Sequence, residues 1–196
     1  ENSANIIQRV FLANNDKKQI ADLFPVLENC RDGAFILFET YFGNVMGAYY
    51  DKSWARERSS NPNYYYPQNH PSYYTNVSRS SAKSMIIDFD QKKVLKIRNG
   101  NYSQAIWIPA DLNLGIYFGN STYPDLHISN NGTNGLKGYM APGNHYYPSE
   151  GSPEECRDIL NAFGGGISKR NFVIKTLEVF VIISPEKNNY TKALWQ

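Results

Sequence analysis

The sequence is short of the residues that most chemistry needs. Two of its 196 residues are cysteine, Cys30 and Cys156, and three are histidine, His70, His127 and His145. The cysteines lie far apart with no CxxC spacing, and no histidine pairs with an acid at helical spacing, so no zinc centre is indicated. No GxGxxG, P-loop or GxSxG pattern occurs. Gly164, Gly165 and Gly166 lack the strand before and the lysine after that a phosphate cradle requires, and they read as a link. The expectation is no metal and no cofactor. Basic residues never run longer than a pair, and 20 Lys and Arg against 18 Asp and Glu leave a net charge of +2. Neither nucleic acid nor a membrane surface is indicated as a partner. No apolar run reaches the length of a spanning helix, so membrane insertion is not expected, and no signal-peptide pattern opens the chain.

Tyrosine and phenylalanine are plentiful. Aromatics make up 14% of the chain, with 15 Tyr and 10 Phe, and the apolar share is 41%. That composition builds a folded, strand-rich domain with a sizeable core. The organising stretch is residues 33–50, an apolar strand, a turn at Tyr41, Phe42, Gly43 and Asn44, and a returning strand. Its alternation directs Phe35, Leu37 and Val45 toward one core layer, and Gly47 marks a bulge or a close backbone approach. A hairpin cannot bury such a face alone. The apolar run at residues 172–183 is the expected cover, which makes 1–196 one domain closed over its whole length.

Between these runs, residues 6–12 read as a strand. Residues 17–24 read as a helix with Ile20, Leu23 and Phe24 on one face, capped by Asn15 or Asp16 and stopped or bent by Pro25. Further strands are expected near residues 83–89, 94–98, 104–108, 114–119 and 124–128, and a short helix at 153–163. With no βαβ rhythm, the expected class is mostly β: a two-sheet antiparallel sandwich with short peripheral helices. Residues 55–84 form a long Tyr- and Pro-rich loop, and residues 146–170 read as an insert.

Candidate sites are few. Tyr64, Tyr65, Tyr66, Tyr73 and Tyr74 in the long loop suit recognition of a protein or a carbohydrate, or else pack as a cover. Asp125 and His127 fall on one face of a short strand, where a divalent site competes with ordinary turn hydrogen bonding. Glu178 shares a face of the last strand with Thr176 and Phe180, opposite Leu177, Val179 and Val181. Asn76, Asn101, Asn120, Asn131 and Asn189 begin glycosylation sequons, informative only on a secretory route.

The order of features resembles the TLDc domain family. Val10, Phe11, Leu12 and Ala13 stand where that family ends its first strand near "YRA". A helix and Cys30 follow, then residues 35–39 in place of "TLxLIK", then Gly47, Ala48 and Tyr49 in place of "GGY", then Trp54. Residues 114–120 with Asp125, Leu126, His127 and Ile128 resemble "GPxFGxGxDLxI", and residues 172–182 resemble the closing "FxVxEIEVFxV". Cys30, Gly47, Tyr49, Trp54, Gly119, Asp125 and Glu178 are the family-pattern residues. The resemblance implies a curved sandwich, a cytoplasmic setting in a eukaryote and no agreed catalytic machinery. It also implies a role in oxidative-stress protection or in binding subunits of the vacuolar proton pump. The expectation is thus a non-catalytic protein-interaction domain. The alternatives are a secreted carbohydrate-binding sandwich and a hydrolase on a sandwich scaffold.

Overall fold

The computed structural model describes residues 6–14, 19–59, 73–131, 135–148 and 171–183. Tyr64, Tyr65, Tyr66, His70, Cys156, the triple glycine, the helix expected at 153–163 and Asn189 lie outside them. The strands are β1 (Ile6–Asn14), β2 (Ala34–Thr40), β3 (Val45–Tyr50), β4 (Glu57–Arg58), β5 (Tyr74–Thr75), β6 (Val77–Arg79) and β7 (Met85–Asp88). After them come β8 (Lys93–Ile97), β9 (Ile106–Ile108), β10 (Ile116–Gly119), β11 (Pro124–Asn130), β12 (Leu136–Met140), β13 (Tyr146–Pro148) and β14 (Asn171–Ile183). One α-helix, α1 (Ile20–Glu28), and two single 3₁₀ turns complete the described regular structure. The class is mostly β, with two antiparallel sheets, one of twelve strands and one, β4 with β5, of two.

Thirteen residues make β14 the longest strand, and it joins the two wings of the large sheet. Residues 174–180 pair with β2 along one edge. Along the other edge residues 171–174 pair with β12 and residues 176–183 with β1. The expected pairing of the opening hairpin with the closing apolar run is therefore present. A bulge at Lys175 reverses the parity of burial along the strand: Phe172 and Ile174 are buried before it, Leu177 and Val179 after it. An extra residue bends a strand and raises its twist, which lets one continuous strand feed a core shared by both wings.

One wing runs β2–β3–β7–β8–β13 and the other β12–β11–β10–β9–β6. Their buried residues form one cluster. Phe38 of β2 stacks on Phe172 of β14 at 5.6 Å, and Trp54 meets Tyr50 at 5.4 Å and Phe118 of β10 at 5.9 Å. Truncating such a ring, as in Phe38→Ala, costs about 3–5 kcal/mol.

Three expectations change. Phe35, Leu37 and Val45 are only half-buried, and it is Ala34, Ile36 and Phe38 that enter the core. Both alternating sets of β2 are apolar, so alternation alone could not choose between them. Helix α1 passes through Pro25 and ends at Glu28. Proline removes one backbone donor, but Leu27 is fully buried beside Ile20, Leu23 and Phe24, and Asn29 Nδ2 returns to Pro25 O at 2.8 Å. The helix start is held by Gln19 N donating to Asp22 Oδ2 at 2.8 Å and Ile20 N donating to Asn130 Oδ1 of β11 at 2.7 Å; Asn15 and Asp16 lie outside the described residues. Finally, Tyr146 opens no insert. Its ring is fully buried, and β13 adds to the sheet beside β8.

Candidate functional site

Three places gather chemistry. The first is built on a second bulge, in β11. Gly119 opposes Pro124 and Phe118 opposes Leu126, which leaves Asp125 as the extra residue. The bulge turns the carboxylate inward, away from His127, so these two do not share a site as alternation suggested. Asp125 is fully buried and accepts N–H bonds from Gly143, Asn144, His145 and Tyr146 at 2.9–3.1 Å. These donors come from the loop after β12 and the start of β13, not from a turn next to Pro124. The His145 ring completes the shell, with Nδ1 at 2.8 Å from Asp125 Oδ2 and Nε2 at 2.9 Å from Gln104 Oε1. Gly119, at φ +98°, lies under this pair. A Cβ there would fall 2.9 Å from both Asp125 Oδ2 and His145 Nδ1. Beside them the Tyr146 hydroxyl donates to Ala105 O at 2.6 Å and lies 2.5 Å from Ser84 Oγ; burial drives its proton affinity far upward. Every polar atom named here is engaged with a neighbour, so this cluster braces two loops.

The second place is the outer face of the β12–β6 wing. Cross-strand register puts Ser78, Trp107, Tyr117, His127, Tyr139 and Asn171 in one row across six strands. Trp107 meets Tyr117 edge-on at 4.8 Å, and Tyr117 stacks on His127 at 4.0 Å. A cleft of about 290 Å³ opens at the β14 end of this row, lined by His127, Ser129, Lys137, Gly138, Tyr139 and Asn171. His127 Nε2 sits 2.7 Å from Leu114 O, which can only accept. Burial lowers the ring's proton affinity, the Leu114 carbonyl works against that, and the Lys137 charge lowers it again. The neutral ring then carries its proton on Nε2 and leaves Nδ1 as an acceptor.

The third place is the outer face of the other wing. Arg9, Phe180, Phe35, Tyr49, Met85, Lys96 and Tyr147 follow one another across seven strands. Next to them run Leu37, Gly47, Ile87 and Val94. Phe35 lies over Gly47, where an added Cβ would come within 2.4 Å of the ring, and meets Phe89 at 6.3 Å. Phe35, Leu37, Tyr49, Met85, Ile87 and Val94 are half-buried and Phe89 is exposed.

The remaining expected residues are spread over the fold. Cys30 is buried, its thiol donates to Val26 O at 3.2 Å, and burial pushes its pKa up to about 11. Trp54 is a core ring whose indole N–H has no partner among the described residues. Tyr49 is half-buried, and burial raises its phenol. Glu178 lies on the outer face, 3.4 Å from Arg9. Tyr73 and Tyr74 pack edge to face at 5.0 Å, with the Arg56 guanidinium 3.6 Å over Tyr74 and Arg58 5.6 Å over Tyr73. Among the described residues no group of three or more His, Cys, Asp or Glu could hold a metal ion. Sequence reading missed Trp107, Tyr117, Lys137, Tyr139 and His145. Trp107, Tyr117 and His127 each sit between two buried apolar residues, and that alternation was a signal for an outward row.

No protein-family model matches the chain, and no curated protein gives a significant match.

Proposed function

We propose that the chain is a non-catalytic protein-interaction domain of the TLDc kind, a two-sheet sandwich whose partner docks on the outer face of the β2–β3–β7 wing. One observation carries the reading: half-exposed Phe35, Leu37, Tyr49, Met85 and Ile87 share one rigid sheet face with exposed Phe89. Contiguous apolar patches with a polar rim mark recognition surfaces. Arg9, Glu178, Glu39 and Lys175 supply such a rim, paired as Arg9–Glu178 at 3.4 Å and Lys175–Glu39 at 2.9 Å. The sandwich is supported by the single core fed from both wings and by the bulge at Lys175. The order of sequence features supports the family. It also nominates the partner class, subunits of the vacuolar proton pump in the cytoplasm, with oxidative-stress protection as the physiological setting.

The test is capture of pump subunits by the purified chain and by Leu37→Glu and Ile87→Glu variants. These positions are half-buried on the outer face, so the fold should tolerate the change, which circular dichroism checks. Capture by the parent chain and its loss in both variants supports the reading. Equal capture by all three removes the docking face, and no capture by any of them removes the partner class.

A further inference from the structure

The outer face of the β12–β6 wing carries something the protein-docking reading does not use. Polar side chains with hydrogen-bonding capacity unused among the described residues line one cleft. Lys137 makes none of the ion pairs among the described residues. Ser129 and Asn171 make no side-chain hydrogen bond there, and His127 uses Nε2 alone. Lys137, Ser129, Asn171 and His127 thus line one space of about 290 Å³ together with Tyr139.

Each group restricts the ligand. Lys137 donates only and favours an anion. His127 Nδ1 accepts only, so the ligand presents a hydroxyl or N–H to it. Ser129 and Asn171 both donate and accept, which suits neighbouring hydroxyls. The aromatic rings offer an apolar surface to C–H groups. The volume lies at the small end of ligand pockets, room for one ring rather than an extended chain. A bare anion uses only Lys137, and an apolar ligand leaves four polar groups unsatisfied.

We infer that this cleft is a binding site for a single acidic sugar unit, with the anionic group on Lys137, hydroxyls on His127 Nδ1, Ser129 and Asn171, and the C–H face against Tyr139. Trp107 and Tyr117 continue the row away from the cleft, so a longer glycan would extend over them. The inference is independent of the docking face on the other wing.

The experiment is a two-dimensional amide NMR titration of the whole chain with glucuronate, glucose, glucose 6-phosphate and sulfate. Glucuronate should move the signals of residues 127–129, 137–139 and 171, with Kd of about 1 mM, the affinity that roughly a dozen ligand atoms reach at modest efficiency. Glucose should bind at least fivefold more weakly. Lys137→Gln should bring glucuronate down to the level of glucose without changing the rest of the spectrum, and His127→Phe should weaken both sugars. Glucose 6-phosphate binding more tightly than glucuronate also supports an acidic sugar and makes the group on Lys137 a phosphate. Sulfate matching glucuronate at the same residues reduces the cleft to an anion site and overturns the sugar. No shift at 20 mM glucuronate overturns the site.

Discussion

The His145 imidazole bridges two side chains, with Nδ1 2.8 Å from Asp125 Oδ2 and Nε2 2.9 Å from a carboxamide atom of Gln104. The identity of that second atom follows from its neighbours. Asn120 Oδ1 receives the backbone N–H groups of Thr122 and Tyr123 at 3.0 and 2.7 Å, so the Asn120 atom facing Gln104 is the NH₂. That NH₂ sits 3.0 Å from the Gln104 atom that also meets His145, which fixes the latter as the oxygen. His145 Nε2 therefore donates to Gln104 Oε1. Asp125 holds the other side of the ring, and its own two oxygens accept backbone N–H groups.

From this chain of donors, the His145 Nε2 proton should exchange slowly with water, read by nitrogen-edited NMR. Asp125→Asn puts an NH₂ in place of one of the oxygens that gather four backbone N–H groups and the His145 ring, and should cost about 1–3 kcal/mol in urea unfolding. His145→Gln combined with Asp125→Asn should cost less than the sum of the two single changes, because both act on one contact. Additive losses, or an Nε2 proton that exchanges fast, would remove this bridge.

Two glycines separate tight packing from loose packing. A Cβ on Gly138 would fall 2.1 Å from the Phe172 ring, which is buried and stacked on Phe38. A Cβ on Gly47 would fall 2.4 Å from Phe35, whose ring lies on the outer face and can swing away. Gly138→Ala should therefore destabilise by about 1–3 kcal/mol, whereas Gly47→Ala should stay under about 1 kcal/mol. Thermal unfolding of the two variants side by side decides it; equal losses would mean that Phe35 is as constrained as Phe172.

Burial also disposes of the one described thiol. Cys30 donates to Val26 O from inside the core and its pKa is raised to about 11, so almost no thiolate exists near neutrality. The folded chain should leave Cys30 unmodified by iodoacetamide at pH 7.5 over hours, while the urea-unfolded chain is alkylated within minutes, as peptide mass spectrometry would read. Alkylation at equal rates in both states would reopen a reactive role for this cysteine.

What could be read in advance follows from which signals are local. Ile20, Leu23 and Phe24 announced the buried face of α1 by their spacing, and the apolar run at β14 announced its own centrality. The mostly-β class followed from the same kind of pattern. Bulges were not legible. At Lys175 and Asp125 one extra residue reverses which side chains face inward, and nothing local marks either position. Strand β12 escaped because Gly138 holds one of its inward positions, where an apolar side chain would have marked the alternation. The row of Trp107, Tyr117, His127 and Tyr139 escaped because it exists only once four separate strands are in register. His145 carried no motif at all; its partners Asp125 and Gln104 are 20 and 41 residues away.

His127 sets the last expectation, on pH. In the unfolded chain its imidazole titrates near about 6.5. In the fold that proton affinity is lowered, first by burial and then by Lys137 across the strand pair, although the Leu114 carbonyl opposes both. The facing side chains on neighbouring strands are Tyr117 and Tyr139, and among the described residues no carboxylate offsets the effect. A folded-state pKa below the unfolded one means that the unfolded chain binds the proton first as pH falls. The contribution is therefore complete above about 6.5 and declines on acidification until the folded ring also protonates. One proton limits the slope to about 1.4 kcal/mol per pH unit, and solvent at this half-buried ring reduces it further. Urea unfolding from pH 8 to pH 5 should show the parent chain losing more stability than His127→Gln over that window. A variant that loses just as much would place the acid sensitivity elsewhere and return His127 to the role of a packing residue.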